Sequence, residues 1–215
     1  MSPPPRNLSR RRPVRGPSKL IVVICGGRRT EPSYFSALKQ VFRKPAVKIE
    51  ISGDGLDPVT LVQSAVERKN TLLKDARKSK NSFDKNFEIW VVFDRDEFPQ
   101  IREARELAAK NSIGVAESNP CFELWGILHF QDYDALDNAR ECQRRFSVCC
   151  PRYDHRGSKA IDFDSFAANS EDRIAMIDDA TRRAKTGLQR RLDEDDANGR
   201  PSTEVFLVVE ALRDN

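Results

Sequence analysis

The sequence predicts an α/β fold: a mostly parallel four-stranded sheet flanked by helices, with a helical C-terminal extension. Three observations predict it. Short β-branched runs alternate four times with helical stretches between residues 19 and 130, the order that right-handed crossovers produce. The runs are almost continuously apolar, as parallel strands covered on both faces are. Beyond Asp132 strand-like runs give way to helical periodicity.

Residues 19–25 (KLIVVIC) form the first strand, stopped by Gly26-Gly27. Thr30 reads as an N-cap, with Glu31 and Pro32 in the first turn and Tyr34, Phe35, Leu38, Val41 and Phe42 at helical spacing. Residues 47–52 alternate Val47, Ile49 and Ile51 as a second strand, broken by Gly53-Asp54-Gly55. Asp57-Pro58 opens a helix that runs to about residue 80. Residues 87–93 (FEIWVVF) are the third strand, ending in Asp94-Arg95-Asp96-Glu97, and Pro99 starts a helix reaching about Asn111. Residues 113–117 are a short fourth strand closed by Ser118-Asn119-Pro120, and 121–130 suit a buried helix. Amphipathic helices are expected over 134–146 and 171–192, a polar loop over 151–159 and a charged linker over 193–200; 203–212 fits either a helix or a strand. The organisation is therefore a tail without fixed fold (1–18), an α/β core (19–132) and a helical extension packed on it (133–215).

At 215 residues, with 33% charged and 39% hydrophobic side chains, the chain has the size of one α/β domain and is too apolar for disorder. No apolar run approaches the ~20 residues of a membrane span, and no secretory signal is expected at the N-terminus. Five cysteines, with no C-x-x-C pair and only two histidines, argue against a zinc site or a disulfide framework, so a reduced, cytoplasmic protein is expected. The net charge of +4 comes from the tail: the first 19 residues carry six basic side chains and no acid, leaving 31 bases against 33 acids. Such an arm either attracts nucleic acid non-specifically or serves as a solubilising leader.

Ligands of an open parallel sheet sit beyond the carboxyl ends of its strands. Here those ends carry acids and glycines. Asp94 and Asp96, two residues apart at a strand end, project to the same side roughly 7 Å apart. Mg²⁺ bound through such carboxylates relieves their repulsion; alternatively the acids cap the following helix. Aspartyl-phosphate phosphatases, sugar-nucleotide transferases and the Toprim fold all place D-x-D after an apolar strand. Phosphatases usually have Thr or Val where Phe98 stands, and the surroundings of Gly26-Gly27 do not suggest a transferase. The first turn lacks the Lys-Ser/Thr of a P-loop, which excludes that ATPase class.

Three motifs in order, the stretch from Gly26 to Phe35 (GGRRTEPSYF), Asp94-Arg95-Asp96-Glu97 and the stretch from Ser118 to Trp125 (SNPCFELW), resemble the RloB-like family over about residues 19–212. The resemblance implies a Toprim-like core, a place in prokaryotic restriction and phage-defence loci, and an AAA/ABC-type ATPase as a possible partner. It maps the family's Asp pair onto Asp94 and Asp96, its Asn-Pro-x-Phe-Glu onto Asn119, Pro120, Phe122 and Glu123, and the second Glu of E-G-x-x-T-E onto Glu31. The first Glu of that motif falls on Gly26, so the acid is missing from its expected place.

The expected function is a Mg²⁺- or Mn²⁺-dependent nuclease acting on phosphodiesters of DNA or RNA, tRNA included. Asp94, Asp96 and Glu31 would hold the metal, Glu31 or Glu123 would complete the site, and Arg28, Arg29, Asn119, Arg156 and Lys159 would meet phosphates. Glu123 equally suits a helix N-terminus, and the basic residues equally suit solvent. His129, on an apolar helix, reads as a core residue, and Arg144-Arg145 and Arg190-Arg191 as solvated faces. The alternative is a catalytically weakened nucleic-acid-binding or regulatory subunit of an ATPase-containing defence complex, favoured by Gly26.

Overall fold

The computed structural model describes residues 19–52, 56–79, 85–95, 100–196 and 199–215. The basic tail, the Gly53-Asp54-Gly55 break, Asp96 and Pro99 lie outside the described residues. Four parallel strands form in the expected places: β1 (Leu20–Cys25), β2 (Val47–Ile51), β3 (Phe87–Asp94) and β4 (Gly114–Asn119). The expected count of four is one short. A fifth strand, β5 (Ser202–Thr203), pairs antiparallel with the end of β4, giving the order β2-β1-β3-β4-β5. Its two residues are polar, so no apolar pattern announces it. The pairing buries Ser118 against Thr203, whose hydroxyls bond at 2.8 Å.

Seven α-helices are described: α1 (Thr30–Val41), α2 (Pro58–Lys78), α3 (Ile101–Lys110), α4 (Glu123–Leu128), α5 (Ala139–Cys149), α6 (Ser170–Asp193) and α7 (Val205–Asp214). Asp57 caps α2 by accepting the Thr60 N–H at 3.0 Å, with Pro58 at the first helical position, as its sequence predicts. Thr30 is not the cap of α1 but its first helical residue, with Arg29 before it. α5 starts at Ala139 rather than near 134, because Asn138 and Glu141 form a reciprocal capping box at 3.0 and 3.1 Å. The ambiguous stretch after Thr203 is helical.

Alternation along the strands splits the interior in two. Val22 and Ile24 of β1 meet Leu61 and Val62 of α2 and Ala104 and Ala108 of α3. Ile21, Val23 and Cys25 face a larger aromatic core with Tyr34, Phe122, Trp125, Phe146, Ile177 and Val208. The C-terminal helices thus share one core with the first strand. No helix among the described residues is long and apolar enough to cross a membrane.

His129 is buried in that aromatic core, as its apolar helix predicts. Its Nδ1 lies 2.8 Å from the Trp125 carbonyl and its Nε2 3.3 Å from the Tyr34 hydroxyl, a pairing that suits the neutral ring. Burial, with the Arg183 charge behind it, pushes the imidazole down from 6.5 to about 4. The unfolded chain therefore binds this proton more tightly, and stability falls as pH drops from 6.5 toward 4, by at most about 3 kcal/mol. The difference in urea midpoint between the wild type and His129→Gln isolates this group, and between about pH 7 and pH 4 it should shift against the wild type by this amount.

Candidate functional site

β1, β3 and β4 end side by side at Cys25, Asp94 and Asn119, and beyond their carboxyl ends lies a cavity of about 360 Å³. Its walls come from the turn after β1, the end of β3, the start of α4, one residue of α5 and the polar loop.

The turn after β1 is shaped by its second glycine. Gly27 N–H donates to Glu31 Oε1 at 3.2 Å, and a Cβ at this position would overlap both carboxylate oxygens. Gly27 is thus required so that the Glu31 carboxyl can fold back over the backbone. Gly26 is under no such constraint: a Cβ there would meet Leu61 Cδ2 and the Val92 carbonyl at 3.4 Å.

Three carboxylates line the cavity: Glu31, Asp94 and Glu123. Glu31 is 5% exposed. Burial first, and the Glu123 charge second, push its carboxyl up to about 7, against the Gly27 N–H, its own N–H and the Lys159 charge. Glu123, at the first position of α4, accepts from the Tyr153 hydroxyl and, at 3.3 Å, from the Thr30 hydroxyl. Burial and the Glu123 charge push the Tyr153 phenol far upward, so it stays the donor. Asp94 Oδ1 accepts the Phe122 N–H at 2.8 Å, fixing the end of β3 against the start of α4. A carboxylate has about four lone-pair positions, so this bond orients Asp94 without excluding a cation.

Cations rim the same space. Arg28 and Arg29 come from the glycine turn and Lys159 from the loop. Arg29 donates to the Gly157 carbonyl at 2.9 Å, tying the turn to the loop, and Lys159 Nζ donates to Gln143 Oε1 at 3.2 Å. The Cys25 thiol beneath is pushed up by burial and by Glu31, which makes it a poor nucleophile.

Of the residues singled out from sequence, Glu31, Asp94, Glu123, Arg28, Arg29 and Lys159 share this cavity. Asn119 does not line it; its Oδ1 accepts from Arg200 at 3.3 Å, on the β5 side. Arg156 lines a neighbouring groove. Asp96 lies outside the described residues, among which no three His, Cys, Asp or Glu side chains form a metal-sized group. Sequence reasoning missed Tyr153 and Gln143. The only signal for Tyr153 is an aromatic residue inside a polar stretch. Gln143 carries none, because its place depends on where α5 packs.

A family model described as RloB-like protein matches residues 21–212. No curated protein and no solved structure matches the chain.

Proposed function

The chain belongs to the RloB-like protein family, and from that premise we propose that it is a Toprim-like, divalent-metal-dependent nuclease that hydrolyses phosphodiesters of DNA or RNA. The observation that carries the proposal is the meeting of Glu31, Asp94 and Glu123 in one cavity rimmed by Arg28, Arg29 and Lys159 at the carboxyl end of a parallel sheet. Acids and bases mixed in this way suit a phosphate that must be both held and attacked.

Asp94, joined by Asp96, would hold Mg²⁺ or Mn²⁺. The donor chemistry fits, because carboxylate oxygens are the hard ligands these ions prefer. Bound there, the ion supplies charge neutralisation on the scissile phosphate and an activated water. Glu31 carries the proton: a carboxyl poised near pH 7 beside the reacting phosphate suits a general base. Glu123, held by Tyr153 and Thr30, tunes Glu31 through its charge and positions the start of α4. Arg28, Arg29 and Lys159 steady the phosphate. On family grounds the cell uses this activity in antiphage or restriction-associated defence, under an AAA/ABC-type ATPase partner.

The test is incubation of DNA and of tRNA with the protein in Mg²⁺ or Mn²⁺, with and without a chelator. Cutting that chelation abolishes is the expected result; intact substrate under both ions counts against hydrolysis. Gly26 favours a second reading, a weakened family member that binds rather than cuts. A Cβ at position 26 would make van der Waals contacts without overlap, so substitution there can separate the two readings. Gly26→Glu should raise metal-dependent cleavage about tenfold or more, within the range expected of a general acid or base. Its thermal midpoint should stay within a few degrees of the wild type. A variant that folds and cuts no faster shows that the missing acid is not what limits the protein.

A further inference from the structure

We propose that the groove between α5 and the loop at 153–159 is the track for the nucleic-acid strand flanking the scissile phosphate, with Arg140 and Arg144 on one wall and Arg156 on the other. The proposal rests on the nuclease reading and extends it to a substrate path. The groove measures about 450 Å³ and shares a wall with the acid cavity through Gln143, whose side chain also receives Lys159. A polyanion occupying one therefore runs directly into the other.

The arrangement of α5 supports this path. Cys142 and Phe146 face the core, while Arg140, Gln143, Arg144 and Ser147 fall on one outer face at helical spacing. Arg140 and Arg144 are one turn apart, about 6 Å along the axis, so they can meet successive phosphates of an extended strand. Pairing separates these arginines from their neighbours. Arg145 is paired with Asp137 and Arg152 with Asp162, whereas no carboxylate lies within ion-pair distance of Arg140, Arg144 or Arg156 among the described residues, Arg144 acting on Asp137 only through its charge. Glu141, which lines the groove, has its carboxylate engaged by the Asn138 N–H at 3.1 Å.

The opposite wall is held in place. His155 Nδ1 lies 2.7 Å from the Ser147 hydroxyl, joining the loop to α5. Asp154 Oδ1 accepts the Arg156 N–H at 3.0 Å, and Gly157 receives Arg29 from the catalytic turn. Both walls are thus fixed to each other and to the site, which lowers the ordering cost of gripping a backbone. Neutralised phosphates release counterions, so the salt dependence of binding counts the contacts.

The experiment measures anisotropy of labelled single-stranded RNA and DNA oligonucleotides across a salt series, in chelator so that nothing is cut. The full chain is compared with Arg140→Ala/Arg144→Ala, Arg156→Ala and, as a control on a remote surface, Arg102→Ala. The slope of log K against log salt should fall by ~0.7 for Arg156→Ala and by ~1.4 for the double variant, with affinity down about tenfold or more. Arg102→Ala should keep the wild-type slope. Wild-type slopes in the groove variants, or no binding of either oligonucleotide, overturn the proposal. Failure of the nuclease reading would look different: binding with the predicted slopes, but no cutting by the wild type when metal is restored.

Discussion

Asp94→Asn is expected to lower metal-dependent cleavage by at least about 10³-fold while leaving the fold intact. Ion-supplied stabilisation of a phosphoryl transition state amounts to several kcal/mol, and each 1.36 kcal/mol is a factor of ten. The substitution keeps an oxygen where Asp94 Oδ1 accepts the Phe122 N–H at 2.8 Å, so the joint between β3 and α4 survives. It removes a negative charge from a cavity that also holds Glu31 and Glu123. A second measurement separates loss of metal from loss of chemistry. Millimolar Mn²⁺ should raise the melting temperature of the wild type, as any ligand specific to the native state does, and should leave Asp94→Asn unmoved. Equal cleavage by the two proteins would remove Asp94 from the mechanism.

The sequence carries the layout of this site better than its wiring. Apolar runs such as FEIWVVF, bounded by glycine, proline or acids, specify a parallel sheet whose ends must lie at one rim, and that alone brings the turn after β1 to Asp94. β5 was hidden because a polar residue is buried there by a partner distant in sequence. Ser118 and Thr203 satisfy one another across the sheet edge, and neither looks like a strand residue alone. Glu117 falls in the expected strand, but its burial is hidden for a related reason: Arg105 and Arg95 satisfy its carboxylate from elsewhere in the chain. The start of α5 was legible, since Asn138 and Glu141 stand at capping-box spacing, but the helical periodicity from residue 134 outweighed it. At the site, the family motifs mark Glu31 and Glu123, and Asp94 was visible because charge at a strand end is unusual. The Tyr153 hydroxyl on Glu123 was not, because a bond spanning thirty residues and a loop leaves no periodic trace.

Glu31→Gln should move activity and stability in opposite directions. As general base, the Glu31 carboxylate must be ionised to take a proton, so wild-type cleavage should rise with pH along a limb centred at or below about 7, the value burial and Glu123 impose. A divalent cation at Asp94 favours the ionised form and draws the midpoint below 7. Glutamine cannot take the proton, so the limb should vanish and the plateau rate fall about 10²–10⁴-fold. Stability follows the other sign. A carboxyl raised from 4.5 to about 7 in the fold contributes fully below pH 4.5, and that contribution is lost as pH rises through 7. At pH 8 the buried charge costs at most about 3 kcal/mol. Neutral glutamine, which can still accept the Gly27 N–H, recovers much of that, worth roughly 5–10 °C in melting temperature for a chain of this size. Near pH 4.5 the two proteins should melt together. A residue that merely supports the fold would lose stability along with activity at every pH, and that result would strip Glu31 of its proton-carrying role.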